Sequence, residues 1–422
     1  MKTKGKMKRI LITLSLILVA GSLSARQKCD CTAELDFVYK QMKTTASFKS
    51  QIKGGAVADF EQTYLDIRKE LTTEMPLMDC FQKLQQLMDE VRDKHTLLFS
   101  TRPDFGLKEV LDSAFAAEYR KSDAFLNHPK VSLDLEALET SLSAKSIDDI
   151  EGIYQVGSVM KLGIYKSESA GEYQGVILES KLGTWVPGQV MLHIKETERA
   201  NEYDIFAYGQ VHKNLVFHKA QLFQFGYLFG NVVKEGVSAR HSRVDREKTK
   251  AYELTRLNAD VQYVWLDGFR RYEKEAQRDA LVAQINKDLT APHLIVDLRD
   301  NGGGASKISI PILRAIKKKP DMKVYILTNF FTGSNGEQMT VRLTKIKGAL
   351  HLGQRTNGVI AYGRNYNHHY QSPSGLFSFF PTDMKFNHFL MYEEVGIAPD
   401  VVLNNESDWL TQTLNYINAQ NL

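Results

Sequence analysis

The chain is poor in cysteine: Cys29, Cys31 and Cys80 are its three among 422 residues. They lack the ligand spacing of a zinc site. Two thiols one residue apart rarely bridge each other, so Cys80 is expected to pair with Cys29 or with Cys31, leaving one cysteine over. The N-terminal apolar run, Ile10 to Ala20, is too short to span a bilayer comfortably. There is no internal repeat and no low-complexity tract. The absence of a G-x-S-x-G elbow weakens an esterase or lipase reading. An excess of one charge is missing too. The formal charge is +4, and the basic cluster Lys2, Lys4, Lys6, Lys8 and Arg9 accounts for five positive charges, so the remainder carries 4 − 5 = −1. Such a balance offers no footprint for nucleic acid or an anionic membrane surface.

That basic cluster, the apolar run and the small residues around Gly21 to Ala25 have the order of a signal peptide, residues 1–25. The expected protein is exported, periplasmic or extracellular, without a stable membrane anchor, and meets an oxidising compartment. The length suits two or three domains. Residues 26–145 read as a helical domain, with apolar faces at Leu35, Phe37, Val38, Met42, at Phe60, Tyr64, Leu65, Ile67, and at Leu77, Cys80, Phe81, Leu84, Leu87, Met88, Val91. A further helix is expected near Val110 to Tyr119. Residues 146–240 change to short alternating strands rich in aromatics, such as Tyr154, Trp185, Phe206 and Phe223, which predict a small antiparallel β-barrel or sandwich. Residues 241–422 alternate strands and helices: Val261–Leu266, Glu273–Leu289, Leu294–Leu298, Ser306–Lys317, Lys323–Leu327 and Ser334–Ile346. This is the pattern of an α/β unit with a mostly parallel sheet, inside a multidomain α+β chain.

Two turns at strand ends carry the chemistry, where open α/β sheets place their sites. Leu294 to Leu298 runs into Arg299, Asp300, Asn301, Gly302, Gly303 and Gly304, whose glycines can present bare N–H groups. Lys323 to Leu327 runs towards Ser334, Asn335, Gly336 and Glu337. This last tetrapeptide also has the form of a helix capping box.

Asp297, Leu298, Arg299, Asn301, Gly303 and Gly304, with Ser334 three residues before Glu337, resemble the core of the tail-specific (C-terminal processing) protease and tricorn-core family of serine peptidases. The resemblance runs from about Tyr252 to Asp400, plus a short motif at His95. It implies a ClpP/crotonase-like peptidase core, a protein or peptide substrate, and no cofactor. It makes Ser334 the nucleophile and the N–H groups of Gly303 and Asn335 the oxyanion donors. The tail-specific branch takes its base from a Lys in a G-x-x-T-x-G-K segment. Here Gly353 to Gly358 match, but Val359 occupies the Lys position. The tricorn-like branch uses a His in a D-x-H-T segment, matched by Asp93, His95 and Thr96, so His95 is the implied base. Lys94 stands where the tricorn core has a relay Ser. Glu393, three residues before Gly396-Ile397-Ala398-Pro399-Asp400, matches the family's orienting acid, which would act directly or through water, with Asp93 as the other group that could orient the ring. Many tail-specific proteases carry a PDZ domain where this chain has its β-rich module, which lacks a G-L-G-like carboxylate loop. A histidine base places one limb of the pH profile near about 6–7. His368, His369 and His388 have no third ligand at matching spacing for a metal. The alternative reading is a catalytically inactive relative that binds peptides or carbohydrate. Oligomeric state is not indicated.

Overall fold

The structure, a computed structural model, describes residues 28–237 and 241–420. The expected signal peptide lies outside those residues, and no helix among them is long and apolar enough to cross a membrane.

The sheet bearing the two turns is built from buried apolar strands. Val261–Trp265, His293–Asp297, Lys323–Thr328 and Leu350–Gly353 pair in parallel in that order. Val401–Val402 extends one edge in parallel, and Thr255–Arg256 closes the other antiparallel. Successive residues point to opposite faces. Leu294, Val296, Leu298, Val324 and Ile326 pack on helices Arg271–Asp288, Ser306–Lys317 and Asn335–Thr344. Ile295, Tyr325, Leu327 and Leu352 pack instead on the C-terminal helix Trp409–Gln420 through Trp409 and Ile417. Coverage on both faces explains why Leu294 to Val296 and Val324 to Leu327 read as unbroken apolar runs. The in-register pairing of Asp297 with Leu327 brings the two turns to the same edge.

Between residues 152 and 234 the described residues form an eight-stranded antiparallel sheet. Its terminal strands, Leu215–Leu222 and Tyr227–Phe229, lie side by side, so the sheet comes close to a closed barrel. Tyr154, Trp185, Tyr203 and Phe223 fill its interior, while Phe206 faces outward against Phe81 and joins the core of the N-terminal helices.

Those helices, Cys31–Met42, Gly55–Glu70 and Leu77–Met88, pack through Leu35, Val38, Phe60, Ile67, Phe81, Leu84 and Leu87. Their core also takes Phe377 and Phe379, because strand Leu97–Ser100 pairs antiparallel with Phe377–Phe380. The helices that follow belong elsewhere. Val110, Phe105 and Phe115 pack on the barrel interior, and Leu135, Leu138 and Leu142 pack on Ile153 and Leu178. The helix expected near Val110 to Tyr119 is two short ones, Leu107–Val110 and Ser113–Tyr119. The break falls where the Asp112 carboxylate accepts from the Phe115 N–H and starts a new helix.

Of the two pairings open to Cys80, the structure has Cys31–Cys80, which joins the first helix to Leu77–Met88. Cys29 is a buried free thiol, its pKa pushed up to about 12 by burial, with Glu34 and Asp30 adding to the effect. The bridge closes a span of 49 residues, for which the chain-entropy relation gives about 4 kcal/mol of stabilisation. Replacing Cys31 and Cys80 together by Ser is therefore expected to cost about that much in urea unfolding, whereas Cys29→Ser leaves the bridge intact and costs far less. Equal midpoints for the two variants would refute the assignment.

Candidate active site

The two turns are bound to each other before any side-chain chemistry is considered. Thr332 Oγ1 donates to the Leu298 carbonyl at 2.8 Å, and the Gly333 N–H donates to the Asn301 carbonyl at 2.9 Å. Behind them Asp297 and Arg299 form a buried ion pair at 2.7 Å, and Tyr263 donates its hydroxyl proton to the same carboxylate at 2.9 Å. These two motif residues brace the strand end rather than face the site.

Ser334 sits at φ +51°, ψ −123°, a backbone region that costs an L-residue on the order of 1–3 kcal/mol unless its surroundings impose it. They do. Its N–H donates to the Val359 carbonyl at 2.8 Å and to Glu337 Oε2 at 3.0 Å. Glu337 is fully buried, and its carboxylate also accepts from Thr356 Oγ1 (2.6 Å), Gly358 N–H (2.7 Å) and Val359 N–H (2.9 Å). The glutamate half of the capping box is thus made, but the Ser334 hydroxyl caps nothing in its helix. It lies 3.2 Å from His95 Nε2.

His95 is placed by Asp93. One Asp93 oxygen accepts the N–H groups of His95 (2.9 Å) and Thr96 (3.1 Å), and the other accepts the hydroxyls of Thr96 and Thr382, both at 2.7 Å. Polar atoms of Asp93, His95 and Glu393 come within 4.8 Å of one another. Glu393 makes no hydrogen bond to the imidazole. Its Oε1 accepts from Lys94 N–H at 3.0 Å, and its Oε2 from the N–H groups of Ile360 (2.8 Å) and Ala361 (2.7 Å). The oxygens of this trio are arranged as hydrogen-bond acceptors. His95 Nδ1 is buried without a hydrogen-bond partner. Burial pushes the His95 pKa down to about 4, against the pull of Asp93 and with help from Arg364 and Lys94. That is well below the range expected of a solvated histidine base. Burial also lifts the Glu393 carboxyl to about 7, against the three N–H groups it accepts.

Gly303 (φ +96°) lies against the Ser334 turn: a Cβ there would stand 2.6 Å from Ser334 Cβ and 2.8 Å from the Asn335 nitrogen. No side chain fits. The Asn335 N–H opens its helix and has no acceptor among the described residues. The Gly303 N–H, expected to be bare, donates to Asn301 Oδ1 at 2.9 Å. Asn301 is anchored from the other end of its amide, which donates to the Leu266 carbonyl at 2.8 Å, so its oxygen is turned back into the glycine turn.

Val359 lies beside Ser334, and its N–H and carbonyl both hold the Ser334 turn. His368 and His369 are exposed and pack on Tyr366 and Phe380, and His388 packs on Phe389. Sequence reading missed Thr382, which has no motif around it and reaches Asp93 across 289 positions of chain. It also missed the part played by Lys94, whose ammonium donates to the Asn357 carbonyl at 3.0 Å.

No model of a known protein family matches the chain, and no curated protein matches it in sequence. Among solved structures, the chain is similar to mature CPAF at 10% identity over 92% of this chain and 96% of that one, with a TM-score of 0.42. It is similar to the tricorn protease at 12% identity over 93% of this chain and 37% of that one, with a TM-score of 0.41. It is similar to the photosystem II D1 C-terminal processing protease at 14% identity, over 89% and 94% of the two chains, with a TM-score of 0.37. At these values the likenesses carry no weight for function.

Glu337→Gln puts an amide where donors converge, leaving buried N–H groups unmet at about 1–3 kcal/mol each. The expected result is a drop of at least that size in unfolding free energy, together with loss of the Ser334 backbone geometry. A variant as stable as the parent would show that Glu337 does not hold the turn.

Proposed function

We propose that the protein is an exported serine-type peptidase that hydrolyses peptide bonds of protein or peptide substrates. The observation that carries this reading is the 3.2 Å approach of His95 Nε2 to Ser334 Oγ, at a backbone geometry that keeps the hydroxyl out of its helix cap. Ser334 attacks the scissile carbonyl. His95, neutral above pH 4, takes the hydroxyl proton on Nε2 and returns it to the leaving amine. Glu393, close by but bonded to backbone N–H groups, stabilises the imidazolium through space. The Asn335 N–H meets the developing oxyanion, and the Gly303 N–H joins it by exchanging Asn301 Oδ1 for the new charge. Cys31–Cys80 and the N-terminal segment support export to the periplasm or beyond the cell. Nothing in this chemistry calls for a cofactor.

A second reading, an inactive relative that binds peptides or carbohydrate, is favoured by one observation: His95 Nδ1 lacks the hydrogen bond that would hold its tautomer. Labelling by a fluorophosphonate probe separates the two, since it requires an activated serine.

Ser334→Ala and His95→Ala are each expected to lower kcat by about 10⁴–10⁶, because nucleophile and base act as a unit, while Glu393→Gln leaves a measurable remainder. The base must be neutral, so kcat/KM falls as pH drops through its pKa, near 4. Protonation of Glu393 adds a shallower decline below about 7. Val359→Lys is expected to bring no gain. The measurement is kcat/KM on an unstructured peptide across pH. Activity retained by a folded His95→Ala would reject the mechanism.

A further inference from the structure

Lys94 sits between the proposed base and the acid that supports it, yet the chemistry above leaves its side chain without a task. Its main chain belongs to the base loop, with its N–H on Glu393 Oε1 at 3.0 Å. Its side chain leaves that loop and donates to the Asn357 carbonyl at 3.0 Å. Asn357 is followed by Gly358 and Val359, which hold Glu337 and the Ser334 N–H. We propose, resting on the peptidase reading, that Lys94 is a positioning residue whose ammonium fastens the loop carrying His95 to the loop that cradles Ser334.

The geometry gives it two effects. The first is mechanical. Asp93, Glu393 and Lys94 together fix the His95 loop; Glu393 ties it to Ile360 and Ala361 on the far side of Val359, and the Lys94 side chain adds a second tie, at Asn357, on the near side. The approach of Nε2 to Oγ depends on that register, and small displacements of reacting groups cost rate steeply. The second effect is electrostatic. Facing the ammonium are Glu337 from the helix after Ser334, Arg355 from the cradle loop, and Glu393 and Glu394 from the segment before Gly396. From the barrel, Asp204 and His218 feel it, and on its own loop it meets Asp93 and His95. Lys94 is thus a counter-charge to the buried carboxylates of both loops, and its positive charge favours a neutral His95. Burial lowers its own pKa to about 8, against the pull of Glu337. Above that pH the ammonium loses its proton, the counter-charge goes, and its hydrogen bond to Asn357 weakens from charge-assisted to neutral.

The prediction is an upper limb of kcat/KM near pH 8 that belongs to Lys94. Lys94→Arg keeps a cation that does not titrate in this range, so the upper limb is expected to disappear while activity at pH 7 stays within about tenfold of the parent. Lys94→Met is expected to lose about tenfold to a hundredfold at pH 7, to lack the upper limb, and to move the acid limb upward as the like charge beside His95 is removed. Hydrogen exchange at the Gly358 and Val359 amides, which needs no turnover, is expected to be faster in Lys94→Met than in the parent. An upper limb near pH 8 that persists in Lys94→Arg, or a parent without such a limb, would overturn the proposal, as would unchanged exchange in Lys94→Met. A parent that neither cleaves peptides nor reacts with a fluorophosphonate would instead reject the peptidase reading, and the exchange measurement would still decide whether Lys94 fastens the two loops.

Discussion

The site depends on one buried carboxylate and the four donors it gathers. A charge taken out of water costs several kcal/mol unless hydrogen bonds replace its hydration. Glu337 meets that requirement with Ser334 N–H, Val359 N–H, Gly358 N–H and the Thr356 hydroxyl. In doing so it holds Ser334 in a conformation the residue would not choose. Glu393 repeats the device one step along the same segment, taking the next two N–H groups, Ile360 and Ala361, and adding that of Lys94. Residues 358–361 are therefore shared between two acids, one serving the serine turn and the other the histidine loop. The positions of Ser334 and His95 relative to each other are set by this short irregular piece of chain.

Much of the α/β core was legible because its signals are local. The helix Ser306–Lys317 has the limits its pattern suggested, and the strand from Lys323 runs one residue further than expected, to Thr328. The strands were readable as apolar runs because both faces of the sheet are covered, and an antiparallel module, barrel or sandwich, was readable from short alternating strands. Gly303 and Ser334 stood out because a positive φ or a helix start demands particular residues at a strand end.

What escaped was non-local or electrostatic. That helices after residue 101 pack on the barrel is decided by which apolar face fits which, and one-dimensional patterning does not encode that choice. The occupation of the Gly303 amide by Asn301 follows from a side-chain amide anchored at both ends. The low pKa of His95 is a property of burial that its motif does not carry. The choice of Cys31 over Cys29 came down to one residue: Cys29 lies in a short strand paired with Met75, while Cys31 begins the helix that packs on Leu77–Met88.

The pairing of Leu97–Ser100 with Phe377–Phe380 has a consequence for synthesis. The ribosome releases the histidine loop early and its supporting strand nearly three hundred residues later, as Ser100 and Phe377 are separated by most of the chain. Contacts of such long range form late and slowly. Until Phe380, and then Glu393, have emerged, the histidine has neither its neighbouring strand nor its supporting acid. In an incomplete chain, or one held extended, His95 is therefore not held beside Ser334 by these contacts. The full set of contacts around His95 forms only when residues 93–100 and 377–393 come together.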